Sequence, residues 1–147
     1  MLINTKFLGE VEIDEKEILT FQNGLPGFHE YKKFALIGLD PDLPVSLLQS
    51  IDEIEVSFVI AYPFAFKKDY AFDLDDADRE ELAIENESEV VTYSIVTLKD
   101  SFADSTLNLL APIIVNSSNR LAKQIVLTDN NQFPLQYKIG TFIGSEA

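Results

Sequence analysis

The sequence predicts a mostly β fold, a small antiparallel β-barrel-like domain with one short helix near residues 75–84. Short runs rich in β-branched and aromatic residues recur along the 147-residue chain, which is typical of the strands of a barrel or a sandwich. The connections between these runs are short and rich in Gly, Pro, Asn and Asp. Neighbouring runs are therefore expected to pair antiparallel.

The first half of the chain consists of apolar runs separated by turn residues. The predicted strands are residues 2–8, 11–13, 18–21, 34–39, 45–51 and 56–61. The first two are expected to form a hairpin around Gly9 and Glu10. Two glycines and a proline predict a loop at residues 23–28, and the prolines within residues 40–44 close the strand before them.

Residues 63–76 combine aromatic side chains with the start of an acidic run. The aromatic residues all have even numbers, and they are Phe64, Phe66, Tyr70 and Phe72. The odd positions carry charge at Lys67, Asp69 and Asp73. This alternation predicts an extended segment with one buried and one solvated face. We expect the aromatic face to belong to the core and the charged face to belong to a docking surface; a purely structural strand fits the same pattern.

The second half is predicted to begin with the helix. Asp75 or Asp76 is the expected cap, because acids in the opening turns suit the positive end of a helix dipole. Further strands are predicted at residues 89–98, 107–115, 121–127 and 137–143, with a four-residue hairpin turn at 116–119. Pro112 lies inside an apolar strand, which indicates either an edge open to another chain or a bulge that bends a barrel strand. We favour the bulge.

The chain is strongly acidic, with 11 basic and 25 acidic residues and a formal net charge of −14. Between residues 73 and 89, Arg79 is the only basic residue among the acids Asp73, Asp75, Asp76, Asp78, Glu80, Glu81, Glu85, Glu87 and Glu89. This charge argues against direct binding of nucleic acid, which depends on Lys and Arg at the phosphates. It favours basic partners, or a role in keeping polyanions away from a partner.

No arrangement of residues in the sequence fits a catalytic mechanism. The chain has no cysteine, and its single histidine, His29, is not accompanied by a nucleophile-elbow motif. Residues 24–27 lack the spacing and the Lys-Ser/Thr ending of a phosphate loop. A calcium loop starting at Asp76 fails because its sixth position is Glu81 and not glycine. We therefore expect a protein that is not an enzyme and that has no catalytic residue, metal or cofactor.

The distribution of apolar residues predicts a soluble protein. The longest apolar run, residues 109–115, is far too short for a membrane span, and the first ten residues contain no apolar run of signal-peptide length. No break in composition divides the chain into separate domains. We expect one domain over residues 1–147, located in the cytoplasm and monomeric when free.

Four motifs occur along the chain in a fixed order. They are Phe21-x-x-Gly24-Leu25-Pro26-Gly27-Phe28, Pro63-Phe64-x-Phe66-x-x-Asp69-Tyr70-x-Phe72-Asp73-Leu74, Asn108-Leu109-x-Ala111-Pro112-Ile113 and Asn119-Arg120-x-Ala122-Lys123-Gln124. Together they resemble the flagellar assembly factor FliW family, from Ile3 to about Pro134. The chain departs from the family pattern at His29, where an acid is more usual, at residues 136–137, which replace a more basic ending, and at 140–147, which have no clear counterpart.

The resemblance implies a small β-barrel-like protein that acts by switching partners. Proteins of this family bind flagellin in the cytoplasm, and they bind the translational regulator CsrA and stop it from repressing flagellin mRNA. Flagellin would occupy this chain until export, and the freed chain would then sequester CsrA. No nucleic acid or membrane is expected as a direct partner. The alternative function is a general chaperone or scaffold for another basic or secreted protein.

The expected partner surface follows from the second motif and the acidic run. It comprises Lys67, Asp69, Asp73, Asp75 and Asp76, with Phe64, Phe66, Tyr70 and Phe72 giving it shape. Second-rank candidates are Asn108, Arg120 and Gln124. The sequence allows either one site shared by the two partners or two separate sites.

Overall fold

The structure of the protein, a computed structural model, describes residues 1–38, 44–127 and 133–139. Its strands are β1 (Leu2–Thr5), β2 (Gly9–Glu12), β3 (Ile18–Phe21), β4 (Lys33–Gly38), β5 (Val45–Ser50), β6 (Ser57–Ala61), β7 (Val90–Thr97), β8 (Thr106–Leu107), β9 (Ile113–Asn116), β10 (Leu121–Gln124) and β11 (Tyr137–Lys138). The α-helix in these ranges is α1 (Asp76–Glu81), and 3₁₀ helices occupy Glu15–Glu17, Pro63–Ala65, Glu87–Glu89 and Phe102–Asp104. Over the same ranges, no helix is long and apolar enough to cross a membrane. The predicted mostly β fold with one short α-helix is confirmed.

Seven strands close into a barrel. β3 to β7 pair antiparallel in chain order, β7 also pairs with β9, β9 with β10, and β10 with β3. The β3–β10 pair is parallel, with Leu121 opposite Thr20 and Ala122 opposite Phe21. A ring of seven strands cannot alternate in direction all the way round, so one parallel pair is unavoidable. The predicted antiparallel barrel is otherwise confirmed, and β8 and β11 extend the sheet beyond it.

The barrel strands bury residues on both of their faces. On β4, Phe34 packs in the cluster at the barrel centre, whereas the next residue, Ala35, packs with Ile3 under the β1–β2 hairpin. Successive residues of a strand face opposite sides of the sheet, so the outer side of the barrel needs its own cover. The β1–β2 hairpin covers one part of this outer side. Residues 66–72, which pack with residues 133–139, cover a second part, and the segment around α1 covers a third.

Residues 63–76 do not form the predicted extended segment. Pro63–Ala65 is a 3₁₀ helix, and no strand lies between it and α1. The segment packs over the outer face of the barrel through its side chains and does not join the sheet. Phe66 and Tyr70 are buried as expected, but Phe64 is 44% exposed. The expectation that the aromatic residues all belong to the core is therefore wrong for Phe64.

The apolar run that contains Pro112 is interrupted and does not form one strand. Both β8 and β9 pair with β7, where Leu107 lies opposite Val96 and Ile113 lies opposite Tyr93. Residues 108–112 therefore stand opposite only two residues of β7. The structure departs from the favoured bulge, because residues 108–112 leave the ladder and divide the run into two strands. Pro112, which cannot donate to a ladder, lies in this interruption.

The remaining predicted elements differ from the structure at their ends. The N-terminal hairpin is confirmed, but Thr5 pairs with Gly9, so its turn lies at residues 6–8. The strand predicted at 121–127 ends at Gln124. The last strand predicted, 137–143, is confirmed at Tyr137–Lys138, and its residues 140–143 lie outside the described residues, as does Leu39 at the end of the strand predicted at 34–39.

Asp75 is the N-cap of α1, because its side chain accepts a hydrogen bond of 2.8 Å from the backbone N–H of Asp78. We expect Asp75→Ala to lower the free energy of unfolding by about 1 kcal/mol in urea titrations, since an orphan helix N–H loses its partner. Asp76→Ala removes the same charge one residue later and is the control, with an expected loss of a few tenths of a kcal/mol. Equal losses in the two variants would contradict the capping role.

Candidate functional site

A groove of about 580 Å³ separates the segment after β6 from the segment after α1. Residues 70–74 line one side and residues 84–87 the other, while Arg79 of α1 and Val90 and Thr92 of β7 complete the lining together with Phe64. The volume lies within the range of about 300–1,000 Å³ that is usual for ligand sites. This groove is the candidate functional site.

Aromatic side chains give the groove an apolar floor. The ring of Phe64 lies 5.7 Å from that of Tyr70, which in turn lies 5.4 Å from the ring of Phe72. The Tyr70 hydroxyl donates a 2.7 Å hydrogen bond to the carbonyl oxygen of Leu109, and burial raises the pKa of Tyr70. Phe64 is exposed, and Phe72 and Leu74 are half-buried. Exposed apolar surface with a charged rim is typical of a protein-binding site.

The rim of the groove is acidic, with one exception. Asp73 lies on one side and Glu85 and Glu87 on the other, and all three are exposed. Among the described residues of the lining, Arg79 is the one that is basic. Within the described part of the chain, its guanidinium group forms no ion pair. The groove therefore offers apolar contacts, several carboxylates and one available cation.

An ion-pair network holds α1 against the barrel. The Nζ of Lys123 on β10 lies 2.6 Å from Oδ1 of Asp78 and 2.5 Å from Oε2 of Glu81. The Asp78 and Glu81 carboxylates raise the pKa of Lys123. Because this pKa is raised, the contribution of the Lys123 charge is fully present in the neutral range and is lost as the pH rises past the ordinary lysine pKa of about 10.4 and through the raised value.

Two asparagines fix the chain reversal that follows α1. Asn116 donates from Nδ2 to the carbonyl oxygens of Leu82 (2.9 Å) and Ala83 (3.2 Å), and Asn119 donates to Leu82 as well (3.1 Å). Ala83 has a φ of 52°, in the left-handed region that alanine rarely adopts. This reversal brings residues 84–87 back to form the second side of the groove.

The structure brings four of the sequence-predicted site residues together in the groove: Phe64, Tyr70, Phe72 and Asp73. Asp69 lies outside the lining and pairs with Lys67, whose Nζ lies 2.7 Å from Oδ1 of Asp69 and lowers the pKa of that carboxyl group. Asp75 caps α1, and Asp76 is its exposed first residue. Phe66 is buried and packs against Phe102, with 6.4 Å between the ring centroids.

The second-rank candidates lie outside the groove and have contacts of their own. Asn108 accepts hydrogen bonds at Oδ1 from the backbone N–H groups of Leu110 and Ala111. Gln124 donates from Nε2 to the carbonyl oxygen of Ala111. Arg120 has a φ of 64°, and its carbonyl oxygen accepts from the N–H of Thr20, next to the parallel strand pair. These contacts support the third and fourth motifs as structural elements.

The sequence does not single out the residues on the far side of the groove. Glu85 and Glu87 enter the prediction only with the acids beyond Asp73, which are expected as a group to face the partner, and Arg79 enters only as the one basic residue of that run. A glycine after α1 would have signalled a left-handed reversal of the chain, but alanine occupies that position and gives no such signal.

Comparisons with known proteins agree with the fold and with the motifs. The model of the family described as FliW protein matches residues 2–139. The flagellar assembly factor FliW of Bacillus licheniformis is 45% identical over 136 residues, which is 92% of this chain and 95% of that protein. Its counterpart in Bacillus subtilis is 43% identical over 140 residues, which is 95% of this chain and 97% of that protein. A crystal structure of the flagellar assembly factor FliW matches with a TM-score of 0.86 and 40% identity, covering 95% of this chain and 96% of that one.

Proposed function

Because this chain belongs to the FliW family of flagellar assembly factors, we propose that it is a cytoplasmic adaptor that switches between two partners. It binds flagellin until flagellin is exported. When freed, it binds the translational regulator CsrA and relieves the repression of flagellin mRNA. It acts by binding and not as an enzyme, it is monomeric when free, and the groove with its acidic rim is its binding surface.

The observation that carries this proposal is the juxtaposition of an apolar floor and an acidic rim in one groove. A regulator that binds RNA needs a basic surface, since phosphate neutralisation supplies much of its affinity. A chain with a net charge of −14 attracts such a surface and repels RNA phosphates from the complex. An apolar floor suits the hydrophobic face of an amphipathic segment, which is what an unassembled flagellin terminus would present.

The test is a binding experiment with purified flagellin and CsrA, added separately and then together. We expect this chain to bind each partner and flagellin to displace CsrA. Raising the salt from about 50 to 500 mM should weaken the CsrA complex, because it shortens the range of the electrostatic attraction. Absence of binding to both partners at micromolar concentration would refute the proposal.

A single charge reversal in the groove tests its place in the proposal. We expect Asp73→Lys to weaken CsrA binding about tenfold, because a basic partner then meets a cation on the rim. Glu10→Lys makes the same charge change at an exposed position on the β1–β2 hairpin and is the control. Isothermal titration calorimetry measures both affinities. If Glu10→Lys weakens binding as much as Asp73→Lys, the groove is not the site and only the overall charge matters.

One observation favours the alternative of a general chaperone or scaffold. Phe7 and Leu8, at the turn of the β1–β2 hairpin, are 56% and 41% exposed and belong to a surface other than the groove. Apolar side chains at several exposed sites are useful to a protein that holds unrelated clients. Affinity capture from a lysate distinguishes the two functions, since a scaffold retains many unrelated basic or secreted proteins and the adaptor retains flagellin and CsrA.

A further inference from the structure

Arg79 is a cation in the most acidic region of the chain. Its side chain is exposed, lines the groove, and is without an ion pair in the described ranges. A guanidinium group among so many carboxylates would be expected to pair with one of them. Since the Arg79 guanidinium group has no such pair in the described ranges, the nearby carboxylates must have other partners or point away from it.

Several of those acids are held by other contacts. Asp78 and Glu81 share Lys123, and Asp75 caps α1. Glu89 accepts hydrogen bonds from the backbone N–H groups of residues 85 and 86, and these bonds lower the pKa of its carboxyl group. The structure thus keeps these carboxylates away from Arg79 and leaves its guanidinium group available in the groove.

The remaining charges define what a ligand of the groove must carry. Asp73 on one side and Glu85 and Glu87 on the other side call for basic groups on both flanks of a bound segment. The floor around Phe64 calls for apolar side chains. Arg79 calls for a carboxylate, which a guanidinium group binds with two parallel hydrogen bonds. One helix or strand of a partner protein presents all three kinds of side chain at once.

We propose that Arg79 binds a side-chain carboxylate of an amphipathic, otherwise basic segment of the partner protein when that segment lies in the groove. The proposal rests on the proposed function, because it takes flagellin and CsrA as the proteins that supply the segment. In this proposal the acidic rim attracts basic segments, and Arg79 selects among them for a segment that carries a carboxylate. Basic segments without a suitably placed Asp or Glu leave the guanidinium group desolvated and unpaired, and they bind less well.

Reversal of the charge at Arg79 separates this pairing from general electrostatic attraction. Arg79→Glu adds two negative units to a net charge of −14, so attraction of a basic partner by the overall field predicts tighter binding. The proposed pairing predicts the opposite, a loss of about tenfold in affinity for the partner whose carboxylate it binds. Arg79→Gln removes the charge without reversing it, and we expect an intermediate loss.

Lys99→Glu is the matched control, because it makes the same change of two charge units elsewhere. Lys99 is exposed and follows Thr97, which is at the other end of β7 from Val90. At roughly 3.3 Å per strand residue, Val90 and Thr97 are about 23 Å apart. We expect Lys99→Glu to leave affinity unchanged or to raise it slightly. The thermal unfolding midpoint of Lys99→Glu should match that of the unmodified chain, and that of Arg79→Glu should fall by only a few degrees, because a carboxylate is less favourable than a cation in the last turn of α1.

A charge swap identifies the carboxylate. Each Asp and Glu in the bound segment of the partner is replaced by Lys, and one such variant is expected to bind Arg79→Glu more tightly than it binds the unmodified chain. If Arg79→Glu binds both partners as tightly as Lys99→Glu does, the pairing is refuted while the proposed function stands. If amidation of a partner's C-terminus alone reproduces the loss, the carboxylate is terminal and the proposal is wrong. If the unmodified chain binds neither flagellin nor CsrA, both proposals fail.

Discussion

Replacement of Gly24 by alanine is expected to lower the free energy of unfolding by about 2–5 kcal/mol. Gly24 has a φ of +68°, and an added Cβ would lie 2.6 Å from the Cα of His29 and 2.7 Å from the carbonyl oxygen of Phe28. The left-handed conformation costs an alanine about 1–2 kcal/mol, and the backbone atoms must shift to relieve the overlap at a further cost of about 1–3 kcal/mol. The first motif of the family therefore contains a glycine that the packing requires.

Gly27 in the same loop provides the control for this prediction. It also has a positive φ, +84°, but an added Cβ there would meet nothing within 4 Å. We expect Gly27→Ala to cost about 1–2 kcal/mol, from backbone conformation alone. Thermal unfolding measures the difference: the midpoint should fall by roughly 10 °C for Gly24→Ala and by roughly half of that or less for Gly27→Ala. Equal shifts would show that steric overlap at Gly24 is unimportant.

Asn116→Ala is expected to cost about 2–4 kcal/mol. Asn116 is fully buried. Its Nδ2 donates hydrogen bonds to the carbonyl oxygens of Leu82 and Ala83, and its Oδ1 accepts one of 2.9 Å from the backbone N–H of Ser118. The alanine variant loses three hydrogen bonds, each with a net contribution of about 0.5–1.5 kcal/mol, and leaves a small cavity in place of a buried side chain. Since the same bonds hold the reversal after α1, we also expect weaker partner binding.

Asn119→Ala tests whether the loss comes from burial. Asn119 donates to the same Leu82 oxygen, but it is exposed, and Asn116 still satisfies that oxygen in its absence. We expect a loss of at most about 1 kcal/mol in urea unfolding, with the same slope against urea. Amide hydrogen exchange should show faster opening at residues 82–84 in Asn116→Ala than in Asn119→Ala. Equal exchange rates in the two variants would rule out Asn116 as the residue that holds the reversal.

The strands of the barrel were predictable because their signals are local. β3 was predicted at its observed bounds, and β7 within one residue at each end, since alternation and β-branched residues identify a strand without knowledge of its partner. The cap at Asp75 was predictable for the same reason. The prediction of an extended segment at residues 63–76 was wrong. Apolar residues at alternate positions also occur when an irregular segment lies on a barrel and buries some of its aromatic side chains.

The candidate site was predictable on one side only. Phe64, Tyr70, Phe72 and Asp73 belong to a recognisable motif, and the structure places all four in the groove. The other side depends on Ala83, whose left-handed φ belongs to a reversal closed locally by the bond from the N–H of Ile84 to the carbonyl oxygen of Arg79. Asn116 and Asn119, more than 30 residues further along the chain, bind the carbonyl oxygens that this reversal presents. No spacing within residues 76–90 carries that information.

The sequence by itself determined the mostly β fold, the capped helix, the acidic character and the family, because each depends on residue type and on near neighbours along the chain. Only the tertiary structure decided which acids pair with Lys123 and which remain on the rim, where the barrel closes, and that Arg79 stands unpaired among the described residues. The physical reason is that ion pairs and grooves form between segments that are distant in sequence. Packing on the outer face of the barrel, where α1 and the segment after β6 lie side by side, determines which charged side chains meet.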